Sequence, residues 1–358
     1  MSSKIALFGN VNTEEILARK LREEKGVHVS GYLLFPNQAF ADACNSTTLI
    51  TPEYIRSELV DNLRRERHDV LHVGPTFAAL AVTEILKSAG FPFVGPTRSH
   101  LEFELDKTLI QKVFAELSSI LPQRFTLHRY DESEVRSIIG ALHGKYVAKF
   151  VKGYGERYGG SETGRVRFSG ETIEDDELPI FIKNSIEVGG AVVIEERVQG
   201  DEFSANYLVD AKGNLCRLGE NICFKRRNDG DTGPICDGTG SISFENSLPF
   251  LTPKDIQFVE DRVVKPFHEY VSRVTGEPLV SMLNLDLMKR RDGSIVLFEV
   301  NCREAGGHTM ANILSGIETP VSELLLHAQR NELNRITPVF SKGVSIVVSA
   351  FPSYFPEG

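Results

Sequence analysis

Two rhythms of apolar residues alternate along the first hundred positions of the chain. Short unbroken runs, KIALF at 4–8 and the stretches 27–35, 69–73 and 91–94, predict strands with both faces covered. Between them apolar residues recur at every third or fourth position: Ile16, Leu17 and Leu21, then Ile55, Leu59 and Leu63, then the stretch 77–89. That spacing predicts amphipathic helices. Thr51-Pro52 marks the start of the second, because proline is favoured in the first turn of a helix. Strands that alternate with helices imply a parallel sheet wrapped on both sides.

Residues 1–96 are therefore expected to form a Rossmann-like domain. Its first strand leads into Gly9-Asn10 without a GxGxxG turn, so a dinucleotide is not implied. A helix opens at Gly95-Pro96-Thr97 and carries Leu101, Leu105, Leu109 and Val113, with Lys107 on it. A lone helical lysine is ordinarily a solvated one. Residues 122–196 predict a small α+β unit: strands at 122–130, 146–151 and 191–196, and a helix at 132–142. Lys149 stands in the middle of YVAKFV, where a strand seldom holds unpaired charge. The loop Gly153–Gly164 is glycine-rich and expected to be mobile. Its amides suit a phosphate, and a plain hairpin connection remains the other reading. A strand follows at 202–209, after a break at Gln199-Gly200. The stretch 219–241 has the composition of a long functional loop, and its Lys225, Arg226 and Arg227 suit a polyanion or a solvated basic run. Thr252-Pro253 opens a helix with Ile256, Val259, Val263 and Phe267 on one face. Helices at 308–314 and 321–328 and a β-like run at 342–350 complete the pattern.

The most informative stretch is 279–308, LVSMLNLDLMKRRDGSIVLFEVNCREAGGH. Asp292-Gly293 between β-formers predicts a hairpin. A two-residue loop pairs Arg291 with Ser294, which sets Asp286 opposite Glu299 and Asn284 opposite Asn301. Strict alternation places Val280, Met282, Asn284, Asp286 and Met288 on one face, and Ile295, Leu297, Glu299 and Asn301 on the matching face. Facing carboxylates repel, and a divalent cation would offset that. Two acidic oxygens and an amide oxygen suit hard Mg²⁺. A polar hairpin face in water is the other reading, and the apolar neighbours favour a site. Arg303, Gly306 and Gly307 follow at once, a fixed charge and two glycines whose amides can approach an anion.

Composition narrows the classes further. A net charge of −9 argues against a nucleic-acid partner. No apolar run reaches membrane-spanning length, and the N-terminus lacks a signal-peptide core. Five scattered cysteines without a CxxC suit free thiols in the cytoplasm.

Together these pieces resemble the ATP-grasp superfamily. Segments 73–97, 192–204, 225–234 (KRRNDGDTGP) and 298–304 (FEVNCRE) are similar to phosphoribosylamine–glycine ligases, and 343–358 to the start of their C-terminal domain. The resemblance implies an α/β and α+β ATP-grasp fold. Its core would be 97–121 with 197–335, its mobile lid 122–196, and 336–358 a short C-terminal β segment. It further implies ATP held at its phosphates by Lys107, Lys149, Gly159 and Gly160, at its adenine by Glu196 and the Val198 backbone, and at its ribose by Glu202. Asp286, Glu299 and Asn301 match the Mg²⁺ (or Mn²⁺) positions, and Arg303 faces the transferred phosphoryl group with Lys225 as a second catalytic cation. Arg303, Gly306 and Gly307 look like the substrate-carboxylate motif of the superfamily's amino-acid ligases.

This chain departs from the phosphoribosylamine ligases at FGNVNTEEILARKL, where they carry GxGGREHA, at acidic Asp286, and in stopping at Gly358. The first expectation is thus a carboxylate–amine ligase that activates an amino-acid-like acid as an acyl phosphate. The second is phosphoribosylamine–glycine ligase. A non-catalytic ATP-binding module ranks third, because Asp286, Glu299, Asn301 and Arg303 are all intact. Small-molecule acid and amine substrates, no membrane, and a possible homodimer complete the expectation.

Overall fold

The computed structural model describes residues 3–9, 12–74, 77–115, 120–151, 166–168, 177–230 and 232–348. Its strands are β1 (Ser3–Gly9), β2 (Val27–Leu33), β3 (Ser46–Leu49), β4 (Val70–Val73), β5 (Arg124–Leu127), β6 (Tyr146–Phe150), β7 (Val166–Phe168), β8 (Val192–Glu196), β9 (Gly200–Val209), β10 (Leu215–Asn228), β11 (Thr232–Phe244), β12 (Ser281–Arg290), β13 (Ile295–Asn301) and β14 (Val344–Val348). Among the described residues they form three sheets.

The first sheet is parallel, in the order β3-β2-β1-β4. Alternation divides β1 between two cores. Ile5 and Leu7 pack with Leu17 and Leu21 of the helix Asn12–Glu23, while Ala6 and Phe8 pack with Leu59, Leu63 and Leu86. Both faces are covered, as the unbroken apolar runs require. Three details differ from the sequence reading. The run at 91–94 contributes only one bridge, Val94 to His72. The stripe Ile55-Leu59-Leu63 belongs to two helices, Pro52–Ser57 and Leu59–Glu66, which part at Glu58. β3 is short and polar (STTL), so no apolar run announces it.

The second sheet is antiparallel, β5-β8-β6-β7. The helices Glu132–Ala141 and Leu178–Gly189 cover one face, against Tyr146, Ala148, Val192 and Ile194. Lys149 and Glu195 stand on the other face, one pair-step apart across β6 and β8.

The third sheet is antiparallel, β13-β12-β9-β10-β11-β14. On one face Leu283, Leu285, Leu287, Phe203 and Tyr207 are buried against Phe267 and Val271 of the helix Lys265–Thr275. Each such side chain contributes roughly 1.5–3 kcal/mol by leaving water. On the opposite face, Leu208 and Met282 lie under Met310, Ile313 and Leu314 of the helix Gly307–Ser315, continuous with the core of the first sheet. That cover ends at Asn206 and Asn284. Beyond it the same face carries Ser204, Glu202 and Asp286. A single sheet face therefore passes from core to polar cleft along its own strands.

The stretch 219–241 is a two-stranded ribbon, β10 with β11, rather than a loop. Register shifts near Phe224 and Arg226 break its alternation, which is why its composition read as irregular. The helix from Thr252 begins with a reciprocal cap between Thr252 and Asp255. It widens to a π-turn at Glu260–Val264, just before Pro266, whose missing N–H cannot donate to the ordinary ladder. No helix among the described residues is long and apolar enough to cross a membrane.

Candidate active site

The hairpin β12–β13 pairs Asp286 with Glu299 and Asn284 with Asn301, as expected. It reaches that register by a different route. Arg290 N–H donates to Ser294 O, Gly293 N–H donates to Arg290 O, and Gly293 has φ +86°. This is a three-residue loop closed by a left-handed glycine. Nearer the site the register shifts back, because Asp286 faces Glu299 while Leu287 faces Leu297. Phe298 is the extra, bulged residue. The bulge overturns the expected face assignment: Ile295 and Leu297 point into the core with Leu285 and Leu287, whereas Glu299 and Asn301 point into the cleft.

Three lysines surround Glu299. Lys107 Nζ donates to its Oε1 at 3.0 Å. Lys107 lies in the break between the helices Arg98–Leu105 and Leu109–Val113, not on a helix as the stripe suggested, and its N–H donates to Val151 O beyond β6. Burial works against ionisation of Glu299, but the charge and hydrogen bond of Lys107, with Lys149 and Lys225 beyond, outweigh it and hold the carboxyl below its usual range. Lys225, on the ribbon, lies 2.8 Å from Glu202 and 3.7 Å from Asp286. Ser204 Oγ donates to Asp286 Oδ1 at 2.9 Å. Lys149 pairs with buried Glu195, and its Nζ sits 5.4 Å from the ring of bulged Phe298. Arg124 completes the buried group at 2.8 Å from Glu195. Glu196 turns the other way and accepts from Arg290 at 2.9 Å. Of the expected Glu195-Glu196 pair, only Glu196 is half-exposed. Val198 lies in the link from β8 to β9, and its side chain is nearly covered.

Arg303 is engaged inward. Its Nε donates to Glu104 at 2.8 Å and its Nη1 to the Glu304 carbonyl at 2.9 Å. Burial pushes the Glu104 carboxyl up, against the nearby Arg303 charge. Gly306 is exposed at the start of the helix Gly307–Ser315. A side chain at Gly307 would strike Asn12, so the first turns of two helices meet here. His308 follows, with Nε2 3.1 Å from Cys223 Sγ. Burial, and then Lys225, lowers the imidazole, while burial raises the thiol to about 12, so both are neutral near pH 7.

Gly159 and Gly160, with the rest of the loop 153–164, lie outside the described residues. The structure thus brings together Lys107, Lys149, Lys225, Glu202, Asp286, Glu299 and Asn301. It sets Glu196 and Val198 at the end of the second sheet, and Arg303, Gly306 and Gly307 at the helix start. Sequence reasoning missed Glu104, which fixes Arg303, and the asparagines 206 and 221. Glu104 is one of several charged residues on the helix Arg98–Leu105, and nothing local distinguishes it. The two asparagines lie on different strands, outside the hairpin.

The donors can be tested against a hard divalent cation. Among the described residues no three of His, Cys, Asp and Glu cluster as a metal set. The site instead offers two carboxylates and the amide of Asn301, all oxygen donors of the kind Mg²⁺ takes when phosphates and water complete its shell. Asn301 Nδ2 is committed to Asn284 Oδ1 at 3.1 Å, which leaves its oxygen outside that bond. The residues fit.

Comparison with known proteins defines the class. Residues 179–309 match the family model described as phosphoribosylglycinamide synthetase, ATP-grasp (A) domain. The phosphoribosylamine–glycine ligase of Methanosarcina barkeri is 26% identical over 362 residues, spanning 99% of this chain and 79% of its own. That of Methanothermobacter thermautotrophicus is 30% identical over 265 residues, 72% of this chain and 57% of its own. The crystal structure of the Thermotoga maritima phosphoribosylamine–glycine ligase superposes with a TM-score of 0.73 at 19% identity, covering 99% of this chain and 82% of the other. The fold is ATP-grasp. The chain is an ATP-grasp carbon–nitrogen ligase of the ADP-forming kind, and it resembles the phosphoribosylamine–glycine ligases.

Proposed function

We propose that this ligase transfers the γ-phosphoryl group of ATP to the carboxylate of glycine and passes the activated acyl group to phosphoribosylamine. The carboxylate oxygen attacks the phosphorus and ADP leaves. The amine then attacks the carbonyl carbon, expels phosphate and loses a proton. The observation that carries the proposal is the cross-strand pair Asp286–Glu299, balanced by Lys107 and Lys225 from separate elements. Such charges are arranged to exchange partners. Nucleotide phosphates would draw the lysines, while Asp286, Glu299 and Asn301 would hold Mg²⁺, which supplies charge neutralisation at the phosphates. Lys107, Lys149 and Lys225 bind phosphate oxygens in this reading, and Glu202 takes the ribose. Glu196 and Val198 bound the adenine. Arg303 with the amides of Gly306 and Gly307 holds the amino-acid carboxylate near the transferred phosphoryl group. The curated relatives' names favour this substrate pair over the amino-acid pair that the sequence placed first.

One observation keeps the amino-acid pair as a second reading. The sequence after β1 reads Gly9-Asn10-Val11-Asn12, with one glycine where a ribose phosphate needs close backbone amides. The test is one assay with ATP, Mg²⁺, glycine and freshly generated phosphoribosylamine, beside a panel of amino-acid pairs. Glycinamide ribonucleotide with ADP and phosphate is expected. Turnover of an amino-acid pair alone selects the second reading, and AMP with pyrophosphate overturns both.

A further inference from the structure

Four buried asparagines cross the third sheet in one line. Asn301 Nδ2 donates to Asn284 Oδ1 (3.1 Å), Asn284 Nδ2 to Asn206 Oδ1 (2.9 Å), and Asn206 Nδ2 to Asn221 Oδ1 (2.9 Å). They stand on β13, β12, β9 and β10, and none is more than 8% exposed. An amide can be turned end for end, so the direction of such a row needs a cause.

The cause is at Gly219. Asn206 Nδ2 also donates to the Gly219 carbonyl at 3.2 Å. A carbonyl only accepts, so Asn206 must present nitrogen there and oxygen towards Asn284. Asn284 must then present oxygen towards Asn301, and Asn301 must turn its nitrogen inward. Gly219 has φ +113° at a register shift between β9 and β10, a backbone conformation that favours glycine and aims the carbonyl at Asn206. The cost appears at the far end, where Asn221 Nδ2 is buried without a partner among the described residues. An unmet buried donor destabilises the fold, so the row is held in this direction against a cost. Reversing the row would set the Asn206 oxygen against the Gly219 oxygen and turn the Asn301 nitrogen towards the metal.

We propose that Asn284 and Asn206, oriented by the Gly219 carbonyl, are positioning residues that hold Asn301 with its oxygen towards the metal. The proposal rests on Asn301 being a ligand, as in the function above. Partners behind a ligand commonly change metal affinity by about 10–100-fold when removed.

The test is Mn²⁺ binding in the presence of ADP, read from the paramagnetic resonance of free Mn²⁺, with thermal melting as a control for folding. Asn206→Leu should weaken binding at least tenfold while the protein still melts cooperatively. Asn301→Asp offers oxygen whichever way it turns. In that background Asn206→Leu should therefore cost less than twofold, a non-additivity that a merely structural role would not produce. Equal losses in both backgrounds overturn the proposal. Asn206→Ala gives the same comparison if the leucine variant does not fold. Unchanged Mn²⁺ affinity in Asn301→Leu removes Asn301 from the metal site and overturns the proposal together with that part of the functional reading. A loss in Asn301→Leu without one in Asn206→Leu overturns the positioning role alone.

Discussion

Lys149 and Lys107 both neutralise a glutamate in the cleft, but they do so on different terms. Lys149, Glu195 and Arg124 belong to one sheet, Arg124 directly opposite Glu195 and Lys149 one pair-step away, and Glu195 is 2% exposed on its side chain. That group is nearly closed to water and made from neighbours on adjacent strands. Lys107 and Glu299 come from separate elements, and each keeps about a third of its side-chain surface (31% and 28%). Buried pairs cannot lose one member cheaply, because the other is left charged and unhydrated. Half-exposed pairs can, because water or a ligand takes over. The Arg124–Glu195 pair keeps the second sheet in shape and holds Lys149 at the edge of the cleft, and the Lys107–Glu299 pair leaves both of its charges available to phosphate and metal.

The largest expected effect tests the closed group. Glu195→Gln should cost about 3–5 kcal/mol in denaturant melts, since Lys149 and Arg124 lose their counter-charge. A loss below ~1 kcal/mol would make the two groups alike. The open pair should respond in turnover instead. Glu299→Gln is expected to lower ATP turnover at least ~100-fold, about 2.7 kcal/mol of barrier, with little change in melting. If it destabilises as much as Glu195→Gln, the open pair is structural.

A third variant separates the site from the turn that builds it. Gly293→Ala forces a side chain onto φ +86° and should cost about 1–2 kcal/mol, with metal binding unchanged because the bulge at Phe298 still sets the register. Altered Mn²⁺ affinity would show that the turn, not the bulge, sets the Asp286–Glu299 pairing. The smallest effect is on pH dependence. Because the Glu299 carboxyl is held below its usual range, its pairing stabilises the fold above the ordinary glutamate value near 4.3. That contribution, below ~1 kcal/mol for so exposed a pair, is lost as pH falls through the depressed native value. The melting difference between wild type and Glu299→Gln should therefore vanish at low pH. A difference that grows there would reverse the sign.

The hairpin shows what a sequence makes legible. Asp286 opposite Glu299 followed from a turn dipeptide and a period of two, and it is what the structure contains. The route was not legible. A three-residue loop moved the register one way and the bulge at Phe298 moved it back. Ile295 and Leu297 were placed on the wrong face because nothing local marks a bulge in a run of β-formers. The composition of 219–241 concealed a ribbon for the same reason, since register shifts erase alternation. Lys149 was marked as needing a partner by its place in an apolar strand, and Glu195 met that need from the neighbouring strand.

By itself, then, the sequence determined most of the elements, the parallel N-terminal sheet, the hairpin of 279–308 and the residue types that carry the chemistry. Those depend on periodicity and on neighbours a few positions apart. Only the tertiary structure decided which charges face one another. Lys107 meets Glu299 across 192 positions, and Arg303 meets Glu104 across 199. The direction of Asn301 is decided by a carbonyl on β10, relayed through two other strands. Hydrogen bonds and ion pairs act over about 3 Å, and only the folded sheet brings such distant positions that close.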